Sequence, residues 1–100
     1  MSSSASLLAR TLAAIRSKTD EATGHGLELV GVIGSVARGE AGADSDVDIA
    51  YRVVGQASLF DIGAILMDLQ DELGRSVDMV DLTSVKPRLR ATMERDLVRA

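Results

Sequence analysis

The chain contains no cysteine and no tryptophan, one proline, one histidine and only two aromatic residues, Tyr51 and Phe60. Without cysteine there is no disulfide, no thiolate metal site and no thiol nucleophile. With so few rings, any core must be aliphatic, and no aromatic-basic stripe is available for stacking bases. No apolar run approaches the ~20 residues of a membrane span. The opening MSSSASLLARTLAAIRSK lacks the charged start and long apolar centre of a secretory signal, so a cytoplasmic protein is the expectation. Basic charge is also short: eleven Lys and Arg face fifteen Asp and Glu, a formal net charge of -4. That balance argues against general nucleic-acid binding, which favours a basic excess.

What is present suits one domain over residues 1–100. The hydrophobic fraction of 46% is enough for a core. A chain this short buries a modest share of its surface, so homo- or hetero-oligomerisation would help it. Leu7, Leu8, Thr11, Leu12 and Ile15 fall at helical spacing behind capping hydroxyls at Ser2, Ser3, Ser4 and Ser6, and Gly24-His25-Gly26 breaks the chain. LELVGVI, Leu27 to Ile33, reads as a buried strand. Val36 to Glu40 reads as one helical turn started by Ser35, and Asp46 to Val54 as a second strand. Ser58 is a good N-cap for a helix with an apolar stripe of Leu59, Ile62, Leu66, Leu69 and Leu73, ended by Gly74. Ser76 to Asp81 reads as a third strand. Ser84 would cap a last helix that tolerates Pro87 in its first turn and turns Val85, Leu89, Met93 and Leu97 inward.

The connection between the first two strands is too short for a helical crossover, so an antiparallel pair is expected. The helix between the second and third strands permits a parallel crossover. The expected fold class is therefore α+β: a two-layer arrangement with a mixed sheet of about three strands and helices mainly on one face.

The most informative stretch is GSVARGEAGADSDVDI, Gly34 to Ile49. Antiparallel pairing brings Gly34 and Ser35, at the end of one strand, beside Asp46 and Asp48, at the start of the next. Alternate strand positions share a face, so the two aspartates project together. Magnesium takes one or two carboxylates and fills its shell with water and phosphate. Two aspartates so placed converge on one ion or straddle two. Asp78, mid-strand between Val77 and Met79, is a candidate third carboxylate. Two carboxylates ~4 Å apart repel by roughly 4 kcal/mol at an effective dielectric of 20. A cation removes that conflict. Gly34 lets backbone approach a phosphate. Ser35 adds a hydroxyl and Arg38 a guanidinium, with Ser45 as a further candidate for nucleotide contact. This layout suits attack by a hydroxyl on the α-phosphate of ATP, with two magnesium ions assisting.

The pattern of Gly34, Ser35, Ala37, Arg38, Gly39, Ser45, Asp46, Asp48 and Ile49 resembles the signature of the minimal nucleotidyltransferases of the DNA polymerase beta-like superfamily. GRSVDMVDLTSVKPRLR, Gly74 to Arg90, is similar to that family's third-aspartate strand and the segment after it. The resemblance covers nearly the whole chain. It implies a nucleotidyltransferase core with a Mg-ATP site. Asp46 and Asp48 would be metal ligands. Asp78 would be a third carboxylate assisting deprotonation of the acceptor hydroxyl. Gly34 and Ser35 would hold the triphosphate. Members of this kind include antitoxins paired with a HEPN-domain ribonuclease toxin, some of which transfer AMP to a tyrosine of that toxin. Larger relatives carry a helical domain for small acceptors, so a protein acceptor is the expectation here.

Plainer readings stand beside these. An Asp-x-Asp pair alone is more often a solvated strand edge, and Asp44 and Ser45 can be simple loop and cap residues. Arg38 can be a solvated helix residue. His25 is expected as an exposed turn residue, Asp81 as a turn residue facing away from Asp78, and Tyr51 as packing. Met67, Met79 and Met93 are expected in the core. Arg88, Arg90, Arg95 and Arg99 give the last helix a basic, solvated face. Two rival functions remain: an antitoxin that masks its partner without catalysis, and a transferase acting on a small hydroxyl compound.

Overall fold

The computed structural model describes residues 3–100, with side chains from Leu7 onward. The capping serines expected at the N-terminus lie outside the described side chains. The elements in order are α1 (Ser3–Ser17), α2 (Thr19–Gly24), β1 (Leu27–Ile33), α3 (Gly34–Ala37), β2 (Val47–Val53), α4 (Leu59–Leu73), β3 (Val77–Asp81), α5 (Pro87–Asp96) and β4 (Val98–Arg99).

The strands form one mixed sheet in the order β3-β2-β1-β4. β1 and β2 are antiparallel, as their short connection requires. β2 and β3 are parallel, joined by the α4 crossover. The sheet has four strands rather than the expected three. The extra strand arises because α5 stops at Asp96, after which Val98 pairs with Val32 and Arg99 with Gly31. Gly31 makes this edge possible, since a Cβ there would overlap Val98 O. A two-residue strand carries too little periodicity to announce itself in sequence.

The two faces of the sheet are covered unequally. Val47, Ile49 and Tyr51 of β2 and Val77 of β3 enter the larger core with Leu7, Ile15, Ala22, Ile65, Leu69 and Leu73 of α1, α2 and α4. Each fully buried aliphatic side chain here stabilises the fold by roughly 1.5–3 kcal/mol. The second face holds a small cluster of Val30, Ile33, Ala50 and Leu82, with Met93 and Leu97 packed against it. A bulge in β1 between Leu29 and Gly31 shifts the alternation, so that Val32 returns to the larger core with Leu27 and Leu29 while Ile33 joins Val30 in the second cluster.

Capping explains α4. Asp61 N donates to Ser58 Oγ, Ser58 N donates to Asp61 Oδ2, and Gly74 ends the helix with φ 65°. Several expectations need correction. α3 begins at Gly34, two residues before the expected turn. The N-cap position of α5 is Lys86, because Ser84 Oγ is committed to Asp81 Oδ2. Leu97 lies beyond α5, and Leu89 is exposed. Met67 and Leu59 lie on the outer side of α4 instead of in the core, because one helix buries only one stripe. His25 is half-buried, its Nδ1 bonded to Asp61 Oδ1 at 2.8 Å. Asp81 is the last residue of β3 rather than a turn residue, and it anchors the turn that follows by accepting from Thr83 N, Thr83 Oγ1 and Ser84 Oγ. Among the described residues, no helix is long and apolar enough to cross a membrane.

A candidate nucleotide site at the open end of the sheet

Because Val47, Ile49 and Tyr51 face the larger core, the alternate positions Asp48 and Ala50 face the other side of the sheet. In β3, Val77 and Met79 face the larger core, so Asp78 and Val80 share the second face. Asp48 and Asp78 are direct register partners of the parallel pair. Asp48 is also the partner of Ile33, the residue before Gly34. Asp46 stands just ahead of β2 and is exposed. The antiparallel hairpin, the parallel crossover and the strand pleat thus bring Gly34, Asp46, Asp48 and Asp78 to one end of the second face.

The electrostatics record this gathering. The Asp48 carboxyl is pushed above the ordinary carboxylate value, first by burial, then by the charges of Asp78 and Asp46, against an opposing pull from Arg38. Gly34 has φ 74°, and a Cβ there would collide with Asp48 Oδ2. The carboxylate therefore lies in a cradle that only glycine leaves open. Among the described residues, no three acidic or histidine side chains form a ready-made metal cage. Magnesium does not need one: it binds through one or two carboxylates and completes its shell with water and substrate phosphate. Two facing aspartates beside a glycine cradle fit that chemistry.

The remaining expected residues surround this centre. Ser35 is half-buried in the first turn of α3, and its carbonyl accepts from Glu40 N at 2.8 Å. Arg38 is held by Glu40 Oε1 at 3.2 Å and by Asp96 Oδ2 at 3.1 Å, and these carboxylates raise its already high pKa. Ser45 Oγ accepts from Gly42 N at 2.9 Å, bracing the loop.

Arg75 was not legible as a site residue. Its Nη2 donates to Ala43 O at 2.6 Å and to Gly42 O at 3.3 Å, and its Nη1 donates to Ser45 O at 3.2 Å. Val47 N also donates to Ser76 O at 3.0 Å. The turn before β3 therefore grips the loop that delivers Asp46 and Asp48. A lone Arg after a helix-ending glycine carries no motif, and nothing in the residue pattern pairs it with distant carbonyls.

The polymerase beta nucleotidyltransferase family profile matches residues 18–97. The chain belongs to this family. The nucleotidyltransferase is similar to the protein adenylyltransferase MntA of Thermococcus cleftensis, at 38% identity over 73 residues, which are 73% of this chain and 74% of that one. Among solved structures it resembles a candidate minimal nucleotidyltransferase, with a TM-score of 0.71 and 33% identity, covering 89% of this chain and 95% of the other. It also resembles a crystal structure of a toxin-antitoxin with AMP-PNP, with a TM-score of 0.58 and 25% identity over 81% of this chain and 61% of that one. The matched segment includes the whole GSVARGEAGADSDVDI stretch and the Asp78 strand.

Proposed function

We propose that this nucleotidyltransferase moves AMP from ATP to a hydroxyl of a protein acceptor, a tyrosine of a cognate HEPN-domain toxin, and so acts as an antitoxin. The observation that carries the reading is the facing of Asp48 and Asp78 across adjacent strands beside the Gly34 cradle. The similarity to a protein adenylyltransferase and to a toxin-antitoxin structure with AMP-PNP supports the choice of nucleotide and partner.

In this reading the acceptor oxygen forms a bond to the α-phosphorus of ATP while the bond from that phosphorus to the pyrophosphate oxygen breaks. Asp46, Asp48 and Asp78 would hold up to two magnesium ions, whose chemistry is to polarise phosphoryl oxygens and lower the pKa of a bound hydroxyl. Gly34 and the Ser35 hydroxyl receive the triphosphate. Arg38 pairs with phosphate oxygen in exchange for its carboxylate partners. Ser45 braces the loop next to the nucleotide. Asp78 assists removal of the acceptor proton, and pyrophosphate departs.

The test is incubation with α-labelled ATP, magnesium and the protein encoded by the neighbouring reading frame. Label should appear on that protein, and Asp46→Asn should abolish transfer while leaving the domain folded. Intact fold and ATP binding without any transfer would refute the enzymatic reading. Masking without catalysis is the second reading, favoured by the acidic surface, which suits a basic nuclease. If Asp48→Asn still protects cells fully, masking is the function.

A further inference from the structure

Helix α4 is apolar on two sides, and only one of them is buried. Ile65, Leu69 and Leu73 enter the core, whereas Phe60 is 89% exposed, Leu59 85% and Met67 64%. At 3.6 residues per turn, Phe60, Ala64 and Met67 form one column on the outer side that ends at Asp71, with Leu59 and Gly63 beside it. The only phenylalanine of the chain thus stands in solvent at the head of an apolar strip. Contiguous exposed apolar surface of this kind marks an interaction site.

Gly63 adds an independent observation. Apart from proline, glycine is the least favourable residue in a helix interior. A Cβ at Gly63 would meet nothing within 4 Å among the described residues, so no contact there requires its smallness. The bare backbone leaves a notch between Leu59, Phe60 and Met67.

Charge selects the occupant. α4 carries Asp61, Asp68, Asp71 and Glu72 and no basic residue. Asp68 and Glu72 run along one flank of the column, with Lys18 reaching Asp68 at 3.8 Å. A second copy laid parallel on this face would oppose these acids to themselves, and one laid antiparallel would set them against Leu59 and Phe60 with no base to pair, whereas a partner bearing Lys or Arg would be drawn to them.

We propose that the outer face of α4 docks an amphipathic helix of a partner protein, seating a large apolar side chain over Gly63 and Lys or Arg beside Asp68, Asp71 and Glu72. This rests on the reading that a protein partner supplies the acceptor. The docking face is separate from the chemistry. α4 packs on the larger-core face of the sheet, while Asp48 and Asp78 lie on the other. Phe60 also sits near the end of α4 that follows the far end of β2. Docking therefore leaves the nucleotide site open.

The experiment measures binding of the neighbouring-frame protein to the wild type, Phe60→Asp and Gly63→Gln, with ATP binding and thermal midpoint recorded for each. Phe60→Asp should weaken partner binding by at least ~30-fold, as loss of an interface anchor does, with ATP affinity unchanged. Gly63→Gln should raise the thermal midpoint of the free chain by about 2–4 °C through helix propensity, yet weaken partner binding about tenfold. A purely structural role for Gly63 would not separate stability from binding. Equal partner affinity in all three proteins would overturn the docking surface and leave the partner reading standing. Absence of binding by the wild type would overturn both. Self-association that Phe60→Asp abolishes, with partner affinity unchanged, would assign the face to a second copy and overturn the proposal.

Discussion

Asp48 on β2 and Asp78 on β3 are register partners, so the sheet holds the backbones that carry these two carboxylates about one strand spacing apart, ~4.8 Å. Backbone pairing, rather than side-chain contact, keeps these like charges together. Two like charges so close are unfavourable by themselves, and a cation between them would relieve the conflict.

Replacing Asp48 should therefore separate stability from activity. Asp48→Asn removes a charge disfavoured by burial, Asp78 and Asp46. Its thermal midpoint should equal or exceed that of the wild type. Transfer of AMP should fall by more than the ~100-fold typical of losing a supporting group around a metal. A variant that is clearly less stable than the wild type would contradict the charge-conflict account.

The pH dependence has a definite sign. The Asp48 carboxyl is raised above 3.8 in the fold, so between 3.8 and its folded value the native state holds a proton the unfolded chain has lost. Stability from this group falls as pH rises through that window. Thermal midpoints in metal-free buffer should show this slope in the wild type and lose it in Asp48→Asn. An unchanged slope in the variant would assign it to another group.

Gly34→Ala tests the cradle. The residue sits at φ 74°, where a side chain costs about 1–2 kcal/mol, and its Cβ would collide with Asp48 Oδ2. Calorimetry should show a thermal midpoint lower by at least ~4 °C. Under the proposed function ATP binding should weaken as well, because the collision displaces the Asp48 carboxylate. A variant that keeps full ATP affinity would remove Gly34 from the site.

A second carboxylate has the opposite sign. Asp61 is lowered to about 2, first by the bond from His25 and then by Ser58 N and Oγ. Its contribution is fully present above the unfolded value of 3.8 and is lost as pH falls through about 2. The stability gap between wild type and Asp61→Asn should be constant near neutrality and should shrink below pH ~4. Ser58→Ala removes the other half of this capping box and should cost about 1 kcal/mol, read by denaturant titration.

Local signals made most of the fold legible. The LELVGVI strand, the Ser58 to Gly74 helix and the antiparallel-then-parallel pairing follow from β-branched content, caps and connection length, all carried by neighbouring residues. The convergence of Gly34, Asp48 and Asp78 was legible because strand period and pairing sense determine which side chains share a face. The β4 edge was hidden because its stability lies in pairing with β1, not in its own two residues. Met67 misled because an apolar residue at helical spacing does not say which of two stripes is buried. The pairings of Arg38 with Asp96 and His25 with Asp61 span long sequence distances and leave no periodic trace.

Arg75 gives the sharpest test of how the scaffold serves the site. Its three donated bonds end on carbonyls of Gly42, Ala43 and Ser45, so removal frees the loop without touching Asp46 or Asp48. The loop is exposed, and Val47 N keeps its bond to Ser76 O, so the fold should survive. What should change is the placement of Asp46, and with it the magnesium concentration needed for half-maximal transfer. Arg75→Ala should raise that concentration about 10–100-fold, in the range found for groups that orient metal ligands. The protein-acceptor KM should stay unchanged. Arg75→Lys should restore little, since one ammonium cannot reproduce a planar fork reaching three carbonyls. Added guanidinium at low millimolar concentration should rescue part of the loss. A general loss of stability with no shift in magnesium requirement would reduce Arg75 to an ordinary surface tether.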